Sequence, residues 1–411
     1  MKLKKYIKGN ILPTVLVIGT VMLLGVLICI DLYDMKWRLA AGNYAELQRN
    51  AWIESALLLY QMDSTLWDKP DKNNCITLFE DSKLSTVNVT RQSWGLYELV
   101  SAQTYDKKLK KICMMGYDVD TSSTPALYVC DNNQALTLAG NSNLKGLVCL
   151  PESDILYSQI ESVFYTGQYL DSSYIKHSSS GMPACNPSAA VRKLLNKNTS
   201  QLQVQALNKV TLKVPFTENT LFIKTDDIYD SFIKGNIIIY SDNCIDLYCN
   251  TYIEDVLLFA PKVKIHNGFR GALQIVSTDS VVIDNDVTLN YPSGIFIPEG
   301  EAESYVEIGA RSQLNGYVIF CQKTEADEEK LSPHYYQNDS THIRGLVWVD
   351  GISQIHGGVS GSLYSSNLNY YTSQGFYRNT LYNTRVYGTD VMAYPLWLKS
   401  DNKKKIIKWV G

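Results

Sequence analysis

The chain has 411 residues and a net charge of −3, with 19% of residues charged. That length holds two ordinary domains or one elongated repeat domain. So balanced a charge excludes the basic field a nucleic-acid partner needs and the acidic composition of a solvating tail.

The 28 tyrosines, set among many Asn, Ser and Thr, suit an exported, strand-rich surface wetted by neutral polar groups. Of nine cysteines, Cys29 sits in an apolar run. The other eight permit disulfides in an exported segment without selecting a pairing. Five histidines and no paired-ligand spacing call for no metal and no cofactor.

Residues 1–9 form a basic leader with Lys2, Lys4, Lys5 and Lys8. Residues 10–62 read as one helix, on which everything later is carried. Its first part, 11–30 (ILPTVLVIGTVMLLGVLICI), is free of charge. At about 1.5 Å per residue it covers the roughly 30 Å of a bilayer's hydrocarbon. The lysines before it and Asp31 and Asp34 after it place the N-terminus in the cytoplasm and the remainder outside, in the periplasm or at the cell surface. A cleaved signal is the competing reading. Its apolar core runs only about 7–15 residues to a small-x-small site, whereas this run is longer and flows into further helix.

Above the bilayer, Leu32, Met35, Leu39, Leu47, Ala51, Leu58 and Met62 recur on one stripe of a 3.6-residue period. The sequence predicts that the carried domain covers the upper part of this stripe and other helices or headgroups the lower part. Gly42-Asn43 is a soft spot costing about 1 kcal/mol. Glu54 either pairs with Arg49 of a neighbouring copy or faces water.

A basic leader ending in Gly9, an apolar stretch and an amphipathic helix resemble the N-terminus of type IV pilins and type II secretion pseudopilins. The resemblance implies cleavage after Gly9, leaving Asn10 as the new N-terminus, and packing of the helix with other pilin-like subunits or secretion machinery. Two positions depart from the family pattern: Asn10 stands where Phe or Met is usual, and Thr14 where a glutamate is. The absence of the glutamate resembles certain minor, tip-located pilins and equally an ordinary single-pass anchor.

Residues 63–208 read as an irregular α+β segment. Strands are expected near 75–79, 96–100, 111–115, 126–130 and 135–138, and helices at 153–165 and 186–195. One phrase then recurs: apolar, polar or basic, Gly, alternating strand. It occurs at Leu144-Lys145-Gly146-Leu147, Phe269-Arg270-Gly271-Ala272, Leu314-Asn315-Gly316-Tyr317 and Ile343-Arg344-Gly345-Leu346. Glycine before a strand marks a tight corner. Around the later copies, strands repeat every 18–25 residues or so, the rhythm of a right-handed parallel β-helix over 209–395. An antiparallel β-sandwich is the alternative. Residues 325–330 read as a charged insertion, and 396–411 as a basic tail with a solvated end.

No nucleophile elbow, P-loop or zinc-protease motif occurs, so no catalytic group is expected. Asp279 and Asp284-Asn285-Asp286 hold a hard cation or punctuate a turn. Tyr364, Tyr370, Tyr371 and Tyr377 are available to stack on sugar rings. The function that emerges is a membrane-anchored, exported, mainly β structural protein with the lipid bilayer as partner. It is read as a minor pilin-like component of a pilus or secretion filament. The alternative is a membrane-tethered β-helix that binds or cleaves glycan.

Overall fold

The computed structural model describes residues 11–62, 74–79, 83–120, 122–151, 154–185, 205–322, 332–373, 375–388, 392–398 and 403–410. Gly9, Asn10, the helix expected at 186–195 and the insertion at 325–330 lie outside the described residues.

Ile11–Met62 is one helix, about 78 Å long at 1.5 Å per residue. It runs unbroken through Gly42-Asn43, so the local propensity cost is tolerated there. The rest of the described chain is mainly β.

A five-stranded antiparallel sheet takes the order Asn74–Thr77, Thr86–Trp94, Tyr97–Thr104, Lys110–Tyr117, Lys404–Trp409. Both of its faces are covered. Val87, Val89, Val100, Ala102, Cys113 and Met115 pack on Ile53, Ala56, Leu57 and Tyr60 of the helix. Trp94, Leu96, Tyr97, Leu99, Ile112 and Met114 face the second β body. The final strand corrects the expected solvated tail. Ile406 packs toward the helix while Ile407 and Val410 pack toward the other side, so both faces of this short strand find apolar partners.

The second body pairs its strands in parallel along three strips. One inward-facing column of register partners runs Leu212, Ile233, Ile253, Gly271, Leu289, Leu314, Ile343, Val359, Val386, Leu144. A second runs from Ile223 through Leu258, Ile295, Val347 and Leu363 to Leu127 and Val148. The third follows Ile228, Leu247, Ile265, Ile283 and Ile308. These columns meet in one apolar core. Parallel pairing of this kind differs from the antiparallel sandwich considered as the alternative.

The four glycine phrases all turn the chain from the first strip into the second. Gly146, Gly316 and Gly345 have φ of +114°, +144° and +126°, where a side chain is strained. The first phrase belongs to this body too, but at an unexpected place. Asn143–Lys145 pairs with Thr384–Tyr387, and Leu127–Val129 with the strand Gly357–Thr372. Residues 127–177 therefore extend the C-terminal end of the stack, instead of leading into the strands that begin at 207.

The helix expected at 153–165 is corrected to strands Ile155–Tyr157, Gln159–Ile160 and Val163–Phe164. Glu161 and Ser162 at φ +47° and +69° close a hairpin there, a conformation helical register forbids.

Outward residues of the second strip meet the sheet. Tyr240, Phe259, Phe296, Trp348 and Tyr364 join Trp94 and Tyr97 in the apolar layer between the two bodies. Inside that layer Gln274 is satisfied on both ends: its Oε1 accepts from the Leu96 amide and the Tyr317 hydroxyl, and its Nε2 donates to the Trp94 carbonyl.

A polar clamp closes the rim. Lys408 bridges Glu254 and Asp255, the latter at 2.8 Å. Burial pushes Glu254 up, but hydrogen bonds from Lys234, Lys408 and Tyr252 outweigh it and hold the carboxyl at about 2. Burial dominates at Asp255 and raises its pKa despite Lys408; its Oδ1 has no hydrogen-bond partner. The folded chain thus binds this proton more tightly than the unfolded one. The ionised form costs stability above the folded pKa, and the cost vanishes below the unfolded value near 3.9. Asp255→Asn keeps the shape and tolerates the local φ of +62°. It is expected to stabilise the protein at pH 7 by roughly 1 kcal/mol, with the gain gone below about pH 3.9. Thermal melts of both proteins at the two pH values check this.

Candidate functional site

Two surfaces carry the features from which function can be argued. The first is the helix. Only its last turns are clamped to the body, through Ile53, Ala56, Leu57 and Tyr60. Two polar pairs flank that contact: Arg49 Nε to Asp106 Oδ2 at 2.7 Å and Lys111 Nζ to Glu54 Oε1 at 3.2 Å. Hydrogen bonds from the Thr104 hydroxyl and from Arg49 hold Asp106 down at about 2. Arg49 and Glu54 are therefore partnered within the chain, in place of the expected pairing with a neighbouring copy.

Below this clamp the helix is bare. The most apolar window is wholly uncovered. Leu32, Met35, Leu39 and Leu47, predicted as packing residues, stand exposed with Thr14 and Ala51. Leu58 and Met62 are exposed as well, so the body covers a different face from the one predicted. The covering face was written in the steps Ile53, Ala56, Leu57, Tyr60, which share the 3.6-residue period. Two apolar stripes run side by side there, and periodicity alone does not rank them. Tyr33 and Trp37 are exposed just beyond the uncharged run.

The second surface is the outer face of the third strip. Asp246 and Lys264 are register partners, as are Val282 and Glu307, then Glu307 and Tyr336, and Tyr336 and Gln354. Side chains two residues apart point the same way on a strand, so these line one outward column. At its edge Tyr248 stacks on His266, with ring centroids 4.3 Å apart and planes 13° from parallel. The imidazole lies between two carboxylates: Nε2 is 2.9 Å from Asp246 Oδ1 and Nδ1 is 3.6 Å from Asp284 Oδ2. A groove of about 640 Å³ runs past Tyr248, His266 and Asp284 to Glu307. Another of about 470 Å³ continues from Glu307 past Tyr305, Tyr336 and Tyr371. Glu307 lines both, and together they offer ring faces, carboxylate acceptors and an imidazole.

The structure sorts the residues singled out in the sequence. Asp286 is held by Arg311 through two hydrogen bonds of 2.7 Å. Asn285 Oδ1 accepts from the Ala310 amide at 2.7 Å, and Asp279 pairs with Lys262 at 3.3 Å. These are turn contacts; among the described residues no cluster of three metal-ligating side chains occurs. Tyr364 is buried under the sheet, whereas Tyr377 is exposed and Tyr371 lines the groove. Tyr370 packs between His356 and Tyr382. His266 and Tyr248 carried no sequence signal beyond residue type, because what unites them is the register between two successive strands, Cys244–Leu247 and Tyr252–Ile265. No family model matches the chain, and no curated protein or solved structure matches it significantly.

Proposed function

We propose that the protein is a single-pass, membrane-anchored structural subunit whose parallel strands form a right-handed β-helix held outside the bilayer. Connections between parallel strands are right-handed in nearly all folds, which supports that hand. The observation that carries the reading is one continuous 52-residue helix, clamped at its C-terminal end and bare over the rest. An apolar surface so large needs a cover. Lipid suits 11–30; Leu32, Met35, Leu39 and Leu47, which emerge above it, suit other helices. A minor pilin-like or pseudopilin-like place in a pilus or secretion filament meets both needs, with the N-terminus inside and the β body extracytoplasmic.

N-terminal sequencing and intact mass of protein extracted from membranes test this. Cells that have the leader peptidase are expected to yield a chain starting at Asn10, retained by membranes through carbonate washing. A chain that keeps residues 1–9 in such cells defeats the filament subunit and leaves the plain anchor. Release by carbonate defeats both.

A second reading, glycan binding by the tethered body, is favoured by the two neighbouring grooves that share Glu307, one beside Tyr248 and the other beside Tyr371. Tyrosine faces beside carboxylate acceptors suit stacked, hydroxyl-rich rings.

A further inference from the structure

We propose that a polar cavity at the corner between the third strip and the first, built around Arg385, binds the sugar-acid units of an acidic saccharide. The inference stands apart from the filament reading and from the aromatic grooves, since Arg385 belongs to the first strip.

The cavity has a volume of about 740 Å³. That volume lies within the range of small-molecule sites. Gly357 and Gly358 are among its lining. A Cβ on Gly358 would come 2.7 Å from His342 Nδ1, so the glycine lets the imidazole lie against the backbone of the next strand. The register places His342, Gly358 and Arg385 on successive strands of one outward column. With strands about 4.8 Å apart, His342 and Arg385 bracket a gap of roughly 10 Å.

The chemistry of the lining is selective. Arg385 is exposed and makes no ion pair among the described residues. A guanidinium with no carboxylate of its own favours a planar anion such as a carboxylate, which it can bind through two parallel N–H···O bonds. Around it stand neutral groups that donate or accept: Asn141, Asn383, Ser340 and the Tyr387 hydroxyl. Asn383 Oδ1 is already used by the Asn141 amide at 2.9 Å, which leaves its NH₂ to donate.

Asp339 also lines the cavity, its carboxylate 3.5 Å from His356 Nδ1 and its side chain 78% exposed. That carboxylate repels a compact oxyanion but accepts readily from hydroxyl groups. One cation, one carboxylate and several neutral polar groups fit a ligand that carries both an acid and many hydroxyls. A phosphodiester chain presents the wrong charge density for so few cations.

The test uses the full-length chain in detergent micelles, with trigalacturonate and its neutral counterpart galactotriose as probes, read by isothermal titration calorimetry. Trigalacturonate is expected to bind, with affinity falling at least tenfold in Arg385→Gln and galactotriose weaker by a similar factor. Asp339→Ala is expected to weaken trigalacturonate. A site for bare oxyanions would instead bind more tightly without Asp339, and inorganic sulfate would displace the sugar; either result overturns the assignment. So would equal binding of the two trisaccharides, Arg385-dependent binding of a DNA duplex, or no binding at millimolar ligand. Arg385 and Asp339 are exposed, so unchanged thermal melts of the variants show that the fold is intact. Failure here leaves the Asn10 experiment unaffected.

Discussion

Lys404→Met is expected to destabilise the joint between helix, sheet and final strand by about 3–5 kcal/mol, the cost of leaving one charge of a buried pair alone. Lys404 Nζ lies 2.5 Å from Glu98 Oε2, with their side chains only 6% and 8% exposed. Tyr60 completes the group: its hydroxyl donates to Glu98 at 2.7 Å and accepts from Lys404 at 2.9 Å. Burial first, and then Glu98, push the Tyr60 phenol far above its ordinary value, so it stays a neutral donor at any working pH. Three elements distant in the chain thus share one polar knot within an apolar layer. Removing the ammonium takes away the cation that lies against the buried Glu98 carboxylate, to which Tyr60 still donates. The double variant Glu98→Gln, Lys404→Met removes both charges and is expected to recover most of the loss, because a buried pair and its neutral replacement are often near in energy. Thermal unfolding in detergent reads the total. Hydrogen exchange in residues 53–60 and 97–104 reads whether the helix loosens from the sheet. A loss below 1 kcal/mol in the single variant would show that water reaches the pair.

How much of this was legible in the sequence follows from how local each cause is. The long helix needs only its own composition, and its continuity from Ile11 to Met62 was legible from that alone. Three of the four glycine corners were legible for the same reason: a φ above zero is a demand made at one position, and Gly146, Gly316 and Gly345 each meet it, whereas Gly271 turns without it. The strand Lys404–Trp409 was not, since a short basic amphipathic stretch becomes a strand only if two apolar layers wait for it. Tyr364 failed as an exposed sugar platform because alternation tells inward from outward, and not whether something covers the outward side. The stacking of 127–177 on the C-terminal strands is a pairing across more than two hundred residues, and nothing in either stretch announces the other. The acidic, aromatic grooves are legible only after register is known. Asp246, His266 and Asp284 sit 18 to 20 residues apart, each unremarkable in its own strand, and become neighbours through pairing.

The largest effect is expected at Gly345. Register sets Gly316, Gly345 and Gly361 on adjacent strands, and each backbone fills the space where the next residue's Cβ would be. A Cβ on Gly345 would sit 2.0 Å from the Gly316 carbonyl oxygen; on Gly316, 1.8 Å from that of Ser293; on Gly361, 2.0 Å from that of Gly345. No side chain can yield here, because the obstructing atoms are main chain and are tied into parallel ladders. Gly345→Ala must both hold φ near +126°, a strain of about 1–3 kcal/mol, and push two strands apart over apolar core. The sum is expected to exceed about 4 kcal/mol, seen as a large fall in melting temperature or loss of folded protein. Gly268→Ala separates the two causes. It has φ +75° but its Cβ would meet nothing closer than 3.9 Å, so it carries the backbone strain alone and is expected to cost about 1–2 kcal/mol. If Gly345→Ala melts within a few degrees of Gly268→Ala, the main chains do not stack as closely as the ladder requires. The inward column from Leu212 to Leu144 would then lose the spacing that joins it into one core.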